Sequence, residues 1–194
     1  MVGTTLGIAY AIVALASAAA AVVVPAIREQ FDLSLATGAW VITAFVVALA
    51  ASAPIYGRIA DLIGPRLPIT IGLTLMSLGA VLSAVAPTPE TLFLARGLLG
   101  AGAGAVPVLG PVIIAGRLAE ADRPHALTRM AGLAALSAGG LLLGAVIADL
   151  SSWRVVLALP ASSLFSWAPF AASPSPRAAV SPDSTSPERW ASQP

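Results

Sequence analysis

Cysteine is absent from this chain of 194 residues, which excludes disulfide bonds, thiolate metal sites and cysteine nucleophiles. Histidine occurs once, at His125, and a single histidine cannot build a metal site, so no metal and no cofactor is expected. Lysine is absent as well, so every basic side chain is arginine. The net charge of +1 gives no indication of a nucleic-acid partner.

Charge of either sign is scarce, since 10% of the residues are charged against about 25% in a soluble domain. Hydrophobic residues make up 58% of the chain. A helix crosses the hydrocarbon of a bilayer with about 20 apolar residues. Five stretches reach that length and a sixth, interrupted by Pro160 and Pro169, is weaker: 6–27, 38–56, 67–86, 91–115, 126–148 and 153–172. Because backbone in lipid must satisfy its own hydrogen bonds, we predict an all-α, polytopic transmembrane bundle of five or six spans.

The first stretch is predicted to be a retained span, because it lacks a basic start and is longer than the apolar core of a signal peptide. The arginines then indicate the orientation. With the amino terminus inside, seven arginines lie on the cytoplasmic side and only Arg28 and Arg154 outside. The seven are Arg58, Arg66, Arg117, Arg123, Arg129, Arg177 and Arg189. We therefore expect a multi-pass protein of the cell membrane with a cytoplasmic amino terminus.

The segment between the second and third stretches carries glycines and charges at fixed spacing: Gly57, Arg58, Asp61, Gly64 and Arg66. Glycine permits tight backbone where a span leaves and re-enters the membrane. The spacing resembles the G-x-x-x-D-x-x-G-R-[KR] signature of the major facilitator superfamily (MFS), with Pro65 in place of its first basic residue. The resemblance implies a cytoplasmic loop that latches the two halves of a transporter in the outward-open state, and a weaker latch where Pro65 stands.

Arg96 lies inside the fourth stretch, where an arginine costs about 2.5–3.5 kcal/mol on insertion scales and usually faces a cavity. Its surroundings, residues 94–100, resemble the arginine of this family that is followed by x-x-Q-G, with Leu99 at the position of the glutamine. The resemblance implies a place in the central cavity, in proton coupling or in substrate contact. A second interpretation stays open, because Arg96 is five residues into the stretch and could extend to the outer interface.

Small residues recur every four positions in the fifth stretch, notably Gly132, Gly140 and Gly144. They share one helix face, which favours close packing of helices. The pattern is similar to the glycine-rich antiporter motif of the family, but Ala145 replaces its proline. We therefore predict helix packing here and do not infer antiport.

None of the five stretches contains an aspartate or a glutamate, so no proton carrier is expected away from their edges. Many proton-driven drug exporters of the family carry an aspartate in the first span, before a proline such as Pro25, and this chain has none there. An intramembrane enzyme is the alternative from another class. Ser137 and His125 would then have to meet at one depth, but His125 lies in a charged loop, so no enzyme activity is predicted.

The resemblance extends to about residue 160 and includes Trp153 and Arg154, similar to the W-R sequence at the entry to the sixth span of the family. It implies one half of an MFS fold, built from two inverted three-helix repeats, over residues 1–172. The tail, 173–194, contains four Ser-Pro pairs and is expected to be disordered. Its composition also fits a shifted reading frame of a GC-rich gene.

The function that the resemblance implies is transport of a small molecule across the membrane, with drug efflux as the first expectation for a truncated chain. Uptake of a metabolite and a non-transporting membrane fragment or scaffold are the alternatives. The expected partners are the lipid bilayer, an unknown small-molecule substrate, and either a second half or a second copy of the chain.

Overall fold

The computed structural model describes residues 2–117, 120–136, 145–148, 150 and 152–162. Within them the regular structure is helical. The helices are α1 (Val2–Phe31), α2 (Leu35–Gly38), α3 (Trp40–Ile63), α4 (Arg66–Val85), α5 (Pro89–Ala103), α6 (Ala105–Arg117), α7 (Arg123–Leu136) and α8 (Trp153–Ala158). Residues 145–148 are helical too, and 3₁₀ turns occupy Glu120–Asp122 and Leu159–Ser162.

In the described part of the chain, three helical segments are long and apolar enough to cross a bilayer: Leu35–Ile63, Arg66–Val85 and Pro89–Gly116. They contain the second and fourth predicted spans and all but the last residue of the third. The first predicted span lies within the 30 residues of α1. The fifth and sixth are described only in part, by α7 with residues 145–148 and by α8 with the turn after it. The prediction of an all-helical membrane bundle is therefore confirmed for the described part of the chain.

The helical hydrogen-bond ladder of the fourth span is interrupted near its middle, where α5 ends and α6 begins around Gly104. Pro107 explains the break, because a proline lacks the N–H that would bond to Ala103 one turn earlier and its ring crowds that carbonyl. The two segments still follow one another closely enough to serve as a single span from Pro89 to Gly116.

The helix contacts repeat a pattern across the two halves of the bundle. Helix α1 packs along α7, and α5 packs along α3. In the same way α4 packs against α5, and α8 packs against α1. Exchanging the first three spans with the next three converts one set of contacts into the other, as expected for two inverted three-helix repeats.

Glycines allow the closest of these contacts. A Cβ atom added to Gly100 of α5 would overlap the carbonyl oxygen of Phe45 in α3. On another side of the same helix, a Cβ on Gly102 would overlap the backbone of Met76 in α4. Small residues let helix backbones approach where apolar side chains would only be exchanged for lipid. The fourth span is accordingly the central helix of the described bundle.

Burial agrees with that placement. In Pro89–Gly116, 61% of an apolar stretch of 18 residues is buried, against 17% of the corresponding stretch in Leu35–Ile63. Two buried clusters fill the bundle. The larger one includes Phe45, Met76 and Leu99, and the smaller one, toward the end of the bundle that holds Trp153, includes Val41.

The segment 57–66 differs from its prediction as a loop. Helix α3 continues through Gly57 to Ile63, and α4 begins at Arg66, so only Gly64 and Pro65 form the connection. Gly57 is an ordinary helical residue, and the tight backbone proposed for it is wrong. Gly64 has φ 87° and ψ 162°, a conformation open essentially only to glycine, so tight backbone is confirmed there. The boundary at 172 and the tail lie outside the described residues.

Candidate functional site

The amino terminus of α5, the helix that carries Arg96, is capped by side-chain hydrogen bonds. Thr88 accepts a hydrogen bond from the backbone N–H of Thr91, and the Thr91 hydroxyl accepts one from the N–H of Thr88. This capping box satisfies two of the helix-end donors, and Pro89 fits the first helical position. Arg96 follows seven residues later, which places its Cα about 10 Å along the axis of α5 from Pro89.

The Arg96 side chain lies between α5 and α3 and is only 1% exposed. Its Nε donates a hydrogen bond of 3.0 Å to the carbonyl oxygen of Val41, in the first turn of α3. Its Cζ lies 4.9 Å from the centre of the Phe45 ring, one turn further along α3. The guanidinium therefore sits where the two buried clusters meet, since Val41 belongs to one and Phe45 to the other.

The two terminal nitrogens of Arg96, Nη1 and Nη2, are buried and have no hydrogen-bond partner among the described residues. A guanidinium always carries its charge and has five donors in a fixed fork. Leaving a buried donor unpaired costs about 1–3 kcal/mol, and more when the group is charged. The fork thus has donor capacity that the described residues do not use, inside a helix long and apolar enough to cross the membrane. Extension of this side chain to the outer interface is not observed.

The motif residues 57–66 are placed along the end of α3 and the start of α4. Arg58 and Asp61 are exposed on the last two turns of α3, while Arg66 is half-buried at the first position of α4. The helix end thus presents one positive and one negative side chain to its surroundings. The motif and Arg96 lie toward opposite ends of the second and fourth spans, so the fold does not bring these predicted site residues together.

At the other end of the bundle, Trp153 and Arg154 connect three spans. The indole Nε1 of Trp153 donates a hydrogen bond of 2.8 Å to Oε1 of Gln30 in α1. Nη1 of Arg154 donates to the carbonyl oxygens of Ala84 and Ala86, at 2.8 and 3.1 Å. Those carbonyls are at the end of α4, where helix carbonyls lack partners and a cation is favourable.

Gly132, predicted to be a packing position, makes no close contact with the described residues. Gly132 is exposed and no atom lies within 4 Å of the place where its Cβ would be. The close contact of α7 is made instead by Met130 and Leu133 against Gly7 of α1. Gly140 and Gly144 lie outside the described residues, and their packing stays a prediction.

The histidine of the alternative enzyme site is exposed in the first turn of α7. Ser137, its predicted partner, lies outside the described residues. Among the residues that the structure describes, no group of three or more histidine, aspartate or glutamate side chains could hold a metal ion.

Sequence reasoning did not identify Val41, Phe45 or Gln30 as contacts of the arginine and tryptophan motifs. Val41 and Phe45 belong to an apolar stretch whose residue types are typical of any span. Their four-residue spacing, which places them on one helix face, is the only local signal. Which face meets Arg96 depends on how α3 and α5 pack, so it cannot be read from either stretch alone.

Comparison with known proteins assigns the chain to a family. A family model described as Major Facilitator Superfamily matches residues 6–192. The chain is similar to a cephamycin export protein of Amycolatopsis lactamdurans, with 33% identity over 138 residues, 70% of this chain and 28% of that protein. It is also similar to a puromycin resistance protein of Streptomyces alboniger, with 32% identity over 69% of this chain and 27% of that protein.

Among solved structures, a D-xylose-proton symporter is similar to the chain with a TM-score of 0.73 at 16% identity. The likeness covers 98% of this chain and 51% of the symporter, so the chain spans about half the length of that transporter. At this identity the likeness shows the fold alone. Together with the family model, it shows that this membrane protein belongs to the Major Facilitator Superfamily, whose members are transporters and not enzymes.

Proposed function

We propose that the chain is the amino-terminal half of an efflux transporter and that Arg96 contacts the transported small molecule. The observation that carries the proposal is the buried guanidinium with two unpartnered nitrogens inside the fourth span. Unpaired charge at that depth is expensive, and intramembrane charges mark transport pathways more often than structure. The export and resistance proteins among the relatives support outward transport.

The motif residues complete this proposal at the cytoplasmic end. Arg58 and Asp61 are exposed and can meet charged groups on a second half, which a second copy of the chain supplies when the chain is expressed alone. Gly64 sets the two-residue connection that fixes α3 relative to α4. The latch is thus proposed to be the end of a helix with its turn, and not a flexible loop.

The test is the accumulation of a panel of compounds in bacterial cells that express the chain. The panel contains a cephamycin and puromycin, after the names of the two relatives. The chain is expected to lower the accumulation of at least one compound, and Arg96→Ala is expected to restore it to the level of cells without the chain. Arg129→Ala is the matched control, because it removes an exposed arginine from α7.

The amount of each variant in the membrane fraction is measured alongside, so that loss of transport is separated from loss of insertion. No effect of the wild-type chain on any compound would contradict the proposal and favour a membrane scaffold that does not transport. Transport unchanged in Arg96→Ala would leave the chain a transporter but remove Arg96 from the substrate path.

A further inference from the structure

The charge of Arg96 has no counter-charge within the described protein. The acidic residues of that part lie at helix ends or in turns, away from the middle of the spans, and all are exposed: Glu29, Asp32, Asp61, Glu90, Glu120 and Asp122. The contacts found for the guanidinium are a backbone carbonyl and an aromatic ring. Neither neutralises a full positive charge, so the described residues leave this charge without a partner.

The geometry restricts what that partner can be. Nε is occupied by the Val41 carbonyl, and the Phe45 ring covers the guanidinium at 4.9 Å from Cζ. What remains is the pair of terminal nitrogens, Nη1 and Nη2. Two parallel N–H groups on one planar cation match two oxygens of a carboxylate or a phosphate, which they can bind bidentately. A cationic ligand would be repelled, and a neutral one would leave the charge uncompensated.

The surface of α5 is unoccupied at the residue that follows Arg96. Gly97, the following residue of α5, has no atom within 4 Å of the place where a Cβ would be. By contrast, the space beside Gly100, one turn after Arg96, is occupied by the backbone of α3. The packing is therefore tight on the side where α3 lies, and open at the neighbouring position of α5.

We infer that the molecule held at Arg96 is a soluble organic anion, bound through a carboxylate or phosphate on Nη1 and Nη2; this inference rests on the proposed transport function. It adds the charge class of the substrate, which family membership leaves open. The missing carboxylates in the spans support it, because no acidic side chain of the five apolar stretches competes with an anionic substrate for the fork.

The experiment is a binding measurement on the full chain in a neutral detergent. Fluorescence polarisation follows carboxyfluorescein as the anionic probe and ethidium as the cationic one. The wild-type chain is expected to bind carboxyfluorescein, and Arg96→Gln is expected to weaken this binding by roughly ten- to a hundredfold, as for loss of charged hydrogen bonds. Arg129→Gln removes the same charge from an exposed position and is expected to change nothing.

Unlabelled competitors identify the chemistry and the source of the anion. Benzoate is expected to displace carboxyfluorescein, and benzylamine, a cation of the same size, is not. Displacement by phosphatidylglycerol but not by benzoate would assign the fork to a lipid headgroup and overturn the inference. The wild-type comparison needs no variant, so the inference remains testable if Arg96→Gln does not fold.

Two further results distinguish failure of the anion inference from failure of the transport proposal. Binding of ethidium without carboxyfluorescein, or binding of carboxyfluorescein that Arg96→Gln leaves intact, would overturn the anion inference and leave the transport proposal standing. Binding of neither probe, together with no effect on accumulation in cells, would overturn both.

Discussion

Gly57 and Gly64 lie seven residues apart in one motif, yet the backbone accommodates a side chain at the first position and disfavours one at the second. Gly57 is helical, and the nearest atom to an added Cβ is Cγ1 of Val108 at 3.7 Å, an ordinary contact. Gly64 ends α3 with a positive φ, and nothing lies within 4 Å of its Cβ position. The constraint at Gly64 is thus conformational and not steric.

Replacing Gly64 with alanine is expected to lower the free energy of unfolding by about 1–3 kcal/mol, because the backbone must hold a conformation that a side chain disfavours. Gly57→Ala is the matched control and is expected to leave stability unchanged or raise it slightly, since alanine favours a helix interior. Thermal unfolding of the purified chain in detergent, followed by circular dichroism, measures both. Equal midpoints for the two variants would contradict the assigned conformation of Gly64.

The two glycines also show what a motif can predict. The spacing of Gly57, Asp61 and Gly64 was sufficient to identify the family, because motif spacing does not depend on knowing where helices end. The helix boundary was missed, since the apolar pattern weakens at Arg58 and Asp61 although the helix continues through them. In a membrane protein, charge indicates where a helix leaves the lipid and not where it stops.

At the scale of helices, one contact on α5 determines how closely the second and fourth spans approach. Gly100 faces the backbone of α3 at Phe45, and Gly97 faces open space on the same helix. Both are glycines of one apolar helix, so sequence composition does not distinguish them. Their surroundings differ because three residues rotate the helix face by most of a turn.

Gly100→Ala is expected to destabilise the chain by about 1–3 kcal/mol, as typical of overpacking, because the overlap is with a backbone oxygen that no side-chain rotation can relieve. Relief of the overlap requires α3 and α5 to move apart, and this movement is expected to lengthen the nearby Arg96–Val41 hydrogen bond. Gly97→Ala on the same helix is expected to be neutral or mildly stabilising. Thermal midpoints in detergent compare the two, and a Gly97→Ala variant as unstable as Gly100→Ala would refute this account of the contact.

The helical elements themselves were largely predictable, because the length of an apolar stretch is set by the thickness of the bilayer. The break in the fourth span also follows from sequence, through Pro107. The links that Trp153 and Arg154 make to Gln30, Ala84 and Ala86 do not. They join residues about seventy or more positions apart, and depend on the arrangement of three helices rather than on any one stretch.

At the scale of the whole molecule, the spans of the bundle differ in how much of their surface is buried. The fourth span is packed against both α3 and α4 and is largely buried, whereas only 17% of the apolar stretch that contains α3 is buried. Large apolar side chains on α3 such as Val47, Ile55 and Leu62 lie on that surface. Lipid covers such side chains in a bilayer, and a second transporter half would cover part of the same surface under the function proposed above.

The orientation of this bundle is a prediction from the arginines, and it can be tested directly because the chain has no cysteine. Glu90 and Glu120 are both exposed, in the first turn of α5 and in the turn before α7. With a cytoplasmic amino terminus, Glu90 faces outside and Glu120 faces the cytoplasm. In intact cells a membrane-impermeant maleimide is expected to label Glu90→Cys, and to label Glu120→Cys only after the membrane is permeabilised.

The unsubstituted chain is the blank for this labelling, since any signal from it comes from other proteins. The reverse pattern would place the amino terminus outside, and the segment 57–66 would then lie on the wrong side for a cytoplasmic latch. Labelling of both positions in intact cells would mean that the fourth span does not cross the membrane as one unit. Burial of Arg96 at membrane depth requires that it does, so this result would remove the basis for a substrate site there.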